Sequence, residues 1–228
     1  AGTVNSIKIY KLNIKSLDVS VVSNQDIGQN YATGIKGSTR ASGDMAFGDS
    51  SALMSFHYDG NSPTPAYNLA VGARALSANQ RGDENTAIGS MSLMCNEGSN
   101  NTAVGYSSLK INTKGQENTA VGYKSGAGNT TGYRNTYMGF WAGAKNSTGS
   151  QNTIIGWHTN TSGVSKSGVT AIGSQAGGGL RGDGNVSIGA LSNITDLNQE
   201  TLNVEYAVAV GTESKAFSSG AIAIGAQA

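Results

Sequence analysis

Cysteine is nearly missing: Cys95 stands alone in 228 residues. That excludes an intrachain disulfide, a CxxC pair and a cysteine zinc site, so the fold must stand without covalent staples. Charge is sparse too, at 13% of residues and a formal net charge of +1, which gives no basic field for nucleic acid. No run of about 18 apolar residues occurs, so no membrane insertion by a helix is expected. His57 and His158 show neither HxH nor HxxxH spacing, and no metal site is expected within one chain. There is no GxxxxGK[ST] phosphate loop. The carboxylates Asp183, Asp196, Glu200 and Glu205 lack the paired arrangement that a polysaccharide-cleaving spike needs. We therefore expect no enzyme and no cofactor. The chain opens on Ala1-Gly2-Thr3-Val4, unlike a signal peptide, and stops in mid-pattern at Ala228; both lead us to expect a piece of something longer.

Glycine is plentiful instead. Its 33 residues are roughly twice the average usage of about 7%, without the strict third-residue spacing or proline content of collagen. The glycines close a repeated pentapeptide: NLAVG at 68–72, NTAIG at 85–89, NTAVG at 101–105 and 118–122, NTYMG at 135–139 and NTIIG at 152–156. Weaker copies end at Gly173, Gly189, Gly211 and Gly225, and DMAFG at 44–48 precedes them. From Gly72 to Gly189, through Gly89, Gly105, Gly122, Gly139, Gly156 and Gly173, successive intervals never differ by more than a single position. A second glycine lattice, Gly82, Gly98, Gly115, Gly132, Gly149 and Gly182, sits seven places before the first. Such a period leaves no room for a strand plus a helix. It predicts two short strands per coil with glycine turns between them, about eleven stacked rungs, and at about 4.8 Å per rung a column on the order of 50 Å long.

Side chains of a strand alternate between faces. The position before the closing glycine is apolar in every copy: Phe47, Val71, Ile88, Val104, Val121, Met138, Ile155, Ile172, Ile188, Val210 and Ile224. We expect this column to form the core, with the Thr column (Thr86, Thr102, Thr119, Thr136, Thr153, Thr170) beside it and Leu76, Leu93 or Leu109 completing the interior. The intervening Ala column (Ala46, Ala70, Ala87, Ala103, Ala120) is then expected outside. The motif Asn, present in seven rungs, predicts a hydrogen-bonded amide ladder.

These residues carry a resemblance. The end copies, ASGDMAFG at 41–48 and AVAVGTESKAFSSGAIAIG at 207–225, resemble the head repeat of Yersinia-adhesin-type trimeric autotransporters. The central copies, NTAVGYSSLKINTKGQENTAVGYKSG at 101–126, are similar to a longer repeat of bacteriophage tail fibre and receptor-binding proteins and of related bacterial surface proteins. The likeness covers roughly residues 30–228. It implies an all-β fold, a left-handed parallel β-roll (a β-solenoid), three chains in an obligate homotrimer, and attachment to a cell-surface receptor: a glycan, a lipopolysaccharide or an outer-membrane protein. The longer central period and the absence of an anchor or stalk heptads favour the virion tail fibre over the bacterial cell surface. Residues 31–228 would form the roll. Residues 1–30, with Ile7, Ile9, Leu12, Ile14, Leu17, Val19 and Val21 alternating against polar neighbours, would supply a small β cap.

Candidate binding residues lie where the lattice is decorated or broken. After four consecutive closing glycines stand Tyr106, Tyr123, Phe140 and Trp157, with Trp141 beside them; they predict an aromatic edge that either binds glycans or packs on itself. Insertions at 49–67 and 191–206 lengthen two intervals, and Phe56, His57 and Tyr58 would project from the first. Two Arg-Gly-Asp triplets, at 81–83 and 181–183, fall on polar lattice turns and read as coincidence. So do the four Asn-x-Ser/Thr sequons at Asn129, Asn146, Asn160 and Asn193.

Overall fold

The computed structural model describes residues 34–37, 45–48, 67–159, 165–178, 182–194 and 204–228. The expected cap, and Phe56, His57 and Tyr58 of the first insertion, lie outside the described residues. What is described contains strands and turns and no helix. The strands are β1 (Gly34–Gly37), β2 (Met45–Gly48), β3 (Leu69–Val71), β4 (Thr86–Ile88), β5 (Thr102–Val104), β6 (Thr119–Val121) and β7 (Thr136–Met138). They continue as β8 (Thr153–Ile155), β9 (Thr170–Ile172), β10 (Val186–Ile188), β11 (Asn193–Ile194), β12 (Val208–Val210), β13 (Lys215–Ala216) and β14 (Ile222–Ile224). One sheet runs β1 to β10 in order, then β12 and β14. β1 is antiparallel to β2, and the remaining pairs are parallel and in register, Thr102 on Thr119 and Val104 on Val121. This is a β-solenoid. Its regular stack holds about eight turns, β3 to β10, rather than the eleven expected. β2, β12 and β14 extend the sheet through connections of other lengths.

Each turn of that stack carries one three-residue strand, not two. Among the described residues the second strand appears only as β11, which pairs with β13. Elsewhere the rest of the turn is bent backbone bonded to its neighbour above or below. The N–H of Leu109 donates to the Ser125 carbonyl at 3.0 Å, and that of Lys124 to the Tyr106 carbonyl at 2.8 Å. The corners use left-handed residues that are mostly not glycine. Two places after the closing glycine stand Arg74, Met91, Ser107, Lys124, Trp141, His158 and Gln175, all with φ between 51° and 59°. That conformation costs an L-residue about 1–2 kcal/mol. It is held because the same residue's N–H reaches a carbonyl one turn below, as Trp141 does to Tyr123 at 2.9 Å.

The glycine lattices serve different ends. The closing glycines do adopt positive φ, from 122° to 134°. The second lattice does not; a Cβ on Gly82 would meet the Gly98 carbonyl oxygen at under 3.0 Å, so here glycine permits the close approach of successive turns.

The faces are inverted relative to expectation. Ala70, Ala87, Ala103, Ala120 and Ala171 are fully buried, and so are Leu76, Leu93 and Leu109. The column expected as core (Val71, Ile88, Val104, Val121, Met138, Ile155, Ile172, Ile188, Val210, Ile224) points outward with the Thr column, and Met138 is 43% exposed. The bore explains this. So short a coil brings its walls so close that the strand can offer only a methyl to the leucine opposite.

Where the leucine position is glycine, at Gly126 and Gly143, the strand offers more. Tyr137 replaces the alanine and is fully buried; a Cβ on Gly126 would sit 2.5 Å from its ring. Its hydroxyl accepts from Asn146 Nδ2 at 2.6 Å. Burial pushes this phenol well above its ordinary range, against the smaller opposing effect of that amide.

Two asparagine ladders complete the interior. In the expected one, Asn85, Asn101, Asn118, Asn135 and Asn152 each donate Nδ2 to Oδ1 of the Asn one turn earlier, at 2.9–3.2 Å. A second ladder joins Asn79, Asn96, Asn112 and Asn129. It ends where Asn146 turns its amide to Tyr137, and the Oδ1 atoms of Asn129 and Asn146 have no hydrogen-bond partner. The second insertion is partly built in: Ile194 and Val204 are buried, and Asn185 Nδ2 donates to the Val204 carbonyl at 2.6 Å.

Two substitutions test these assignments by denaturant or thermal unfolding. Ala103→Leu should overpack the bore and cost about 1–3 kcal/mol. Tyr137→Ala should cost about 3–5 kcal/mol. Adding Gly126→Leu and Gly143→Leu should recover part of that loss, because leucine already occupies the equivalent positions Leu76, Leu93 and Leu109 in the same left-handed conformation.

Candidate functional site: the aromatic edge

The corner after the closing glycine places one residue per turn at the surface, directly above its equivalent. Four of these are aromatic. Tyr106 and Tyr123 stack with ring centroids 5.3 Å apart and 13° between planes, and Tyr123 stacks on Phe140 at 5.0 Å and 10°. Tyr123 is 40% exposed and Trp157 50%. Tyr106, Tyr123 and Phe140 thus lie face to face along the stack, as turn spacing requires, whereas Trp157 leans onto His158. Both faces of Tyr123 are occupied by neighbours, so its edge is what meets solvent. A sugar needs an open ring face, and Tyr123, stacked on both sides, offers none.

The next position carries a second stack. Lys124 Nζ stands 5.0 Å from the Trp141 ring centroid, and Trp141 is parallel to His158 within 6° at 5.6 Å. Lys124 also lies over Tyr123 at 5.3 Å, a cation–π contact that joins the two stacks. Phe140 packs against Trp141 and His158, and Trp157 tilts over His158 at 4.2 Å. The sequence pattern brought the five aromatics together but left out Lys124 and His158 as members of the cluster. Their signal was the shared repeat interval, Lys124 to Trp141 to His158.

Other candidates resolve as parts of the scaffold. The Arg81-Gly82-Asp83 backbone is pinned in the stack: Gly82 N–H donates to Asn79 Oδ1 at 3.0 Å and Asp83 N–H to Ser99 Oγ at 3.0 Å. Of the second triplet, Arg181 lies outside the described residues. Asn129 and Asn146 are buried, which removes them as surface sequons. An ion pair, Arg134 Nε to Glu117 Oε2 at 2.8 Å, links adjacent corners on the surface; the guanidinium holds that carboxyl below its ordinary range. Among the described residues no three His, Cys, Asp or Glu side chains gather as a metal site requires.

If the ladder is held by its own stacking, position within it sets the cost of truncation. Tyr123→Ala loses two ring contacts and should cost about 2 kcal/mol, whereas Tyr106→Ala loses one and should cost about 1 kcal/mol; thermal unfolding of both variants measures the difference. Compared with protein-family models, with curated proteins and with solved structures, the chain matches none.

Proposed function

We propose that this chain is a non-enzymatic attachment protein, a segment of a phage tail fibre or receptor-binding protein that recognises a bacterial surface receptor as a homotrimer. The observation that supports it is the outward sheet face. From Val71 to Ile224 a continuous column of Val, Ile and Met stands in register beside the Thr column, with Ile88 37% exposed and Ile224 70% exposed in the single chain. Contiguous apolar surface of this kind marks an interface. Parallel, in-register columns also present the same surface along the whole shaft, so identical chains can pack side by side about a common axis. In that arrangement the sheet faces turn to the axis and the aromatic edge stays outside, available to a receptor. The left-handed roll and the trimer are the form that the resemblance implies.

A second reading, the head of a bacterial trimeric adhesin, is favoured by one observation: β12 and β14 pair across a shorter coil, from Gly211 to Gly225, which is the spacing of the end repeats. A structural spacer would share the same shaft and lack receptor binding.

Sedimentation tests the assembly. The chain should run at three times the mass of a single copy, and Val121→Glu should release single chains; a monomeric parent chain would overturn the trimer. Binding of the fluorescent chain to bacterial cells, with and without residues 49–67, separates recognition from spacing.

A further inference from the structure

Turns of this stack differ in what ties them together. Strand and corner bonds join each turn to the one before and the one after, and they lie along the stack. Tension along the stack therefore pulls on these bonds directly and falls on the outermost turn, which must leave before the next is loaded. From Asn68 to Asn152 the amide ladder adds side-chain bonds between turns. From Tyr106 to His158 the two ring stacks add more, and the Glu117–Arg134 pair bridges two turns of the same block. Both ties stop there. Val169 stands where the next ladder asparagine would, giving only its own N–H to Asn152 Oδ1 at 2.9 Å, and among the described residues no ring contact reaches beyond His158. The last turns hold by backbone bonds and a few polar side chains, such as Asn185 Nδ2 on the Val204 carbonyl and Ser219 Oγ on the Glu205 N–H. We propose that the chain is a graded mechanical tether. Under axial load the turns beyond Gly173 release singly from the β14 side, and the ring-stacked block from Tyr106 to His158 arrests the release. Packing through the outer face would hold every turn alike, because its apolar column continues through Val210 and Ile224, so it leaves this order unchanged.

Yielding of this kind gives an attached fibre slack, and it rests on the attachment reading for that role alone, since the response to force is measured without cells. Cys95, the single cysteine, offers one handle within the chain; the other is placed at the C-terminus of the full chain, and optical tweezers pull between them. Coil lengths differ, so each step identifies the turn that left. The coils closed by Gly225, Gly211 and Gly189 should lengthen the chain by about 45, 70 and 50 Å in that order, at about 3.3–3.6 Å per extended residue less one turn spacing. At constant force the chain should then pause before the coil closed by Gly173 leaves. Trp141→Ala, which removes the contact on His158, should shorten that pause about fivefold. Val169→Asn, which continues the ladder from Asn152 to Asn185, should delay loss of the Gly189 coil about fivefold; it carries the test if Trp141→Ala does not fold. Release in a single step, a first step of another length, or step times indifferent to both substitutions would overturn the tether. Cell attachment by a chain that opens all at once removes the tether and leaves attachment standing; stepwise release by a chain that binds no cell does the reverse.

Discussion

Everything in this fold depends on one turn lying on the next in register. A strand of three residues and a few bends cannot persist alone, since ordering each residue costs about 1–2 kcal/mol of backbone entropy. Stacking recovers that cost. Strand N–H groups bond upward and downward, corner N–H groups reach the carbonyl below, and buried amides pass Nδ2 to Oδ1 from Asn85 to Asn152. The left-handed corners are a result of this order. Residues as different as Arg74, Trp141 and His158 share one backbone conformation because the turn beneath dictates it.

The narrow bore then distributes the side chains. Little bulk fits inside, so alanine, serine and asparagine fill most of the interior, with a leucine in three turns (Leu76, Leu93, Leu109), Ile154 in another and, where glycines make room, Tyr137. The larger apolar residues are displaced to the outer face, where a single chain leaves them half exposed. Interior and exterior are therefore complementary outcomes of one dimension, the length of the repeat. A chain with this profile is shielded from water only in part, which is the physical reason for reading its outer face as an interface.

Much of this was legible in the sequence because repetition turns spacing into adjacency. The closing glycines located β3 to β10, the motif Asn foretold the first ladder, and the residues after Gly105, Gly122 and Gly139 foretold stacked rings. The inversion was not legible. Alternation divides a strand into two sets without saying which faces inward; hydrophobicity suggested Val104 and Val121, whereas cross-section admitted only Ala103 and Ala120. The second ladder was written as Asn-x-x-Gly at Asn79, Asn112, Asn129 and Asn146, but there the glycine drew notice and the asparagine did not.

The amide ladder has a direction. From Asn68 to Asn152 each asparagine side chain bonds the next, Nδ2 to the turn before and Oδ1 to the turn after, so each turn of that stretch has an acceptor surface and a donor surface, and all point the same way. An inverted turn would set donor against donor. A whole turn, from one closing glycine to the next, can by contrast be removed or duplicated and the severed surfaces still match. Length is thus quantised: such a solenoid can be shortened or extended by gene segments coding one turn, and the ladder accepts turns of 16 or 17 residues alike.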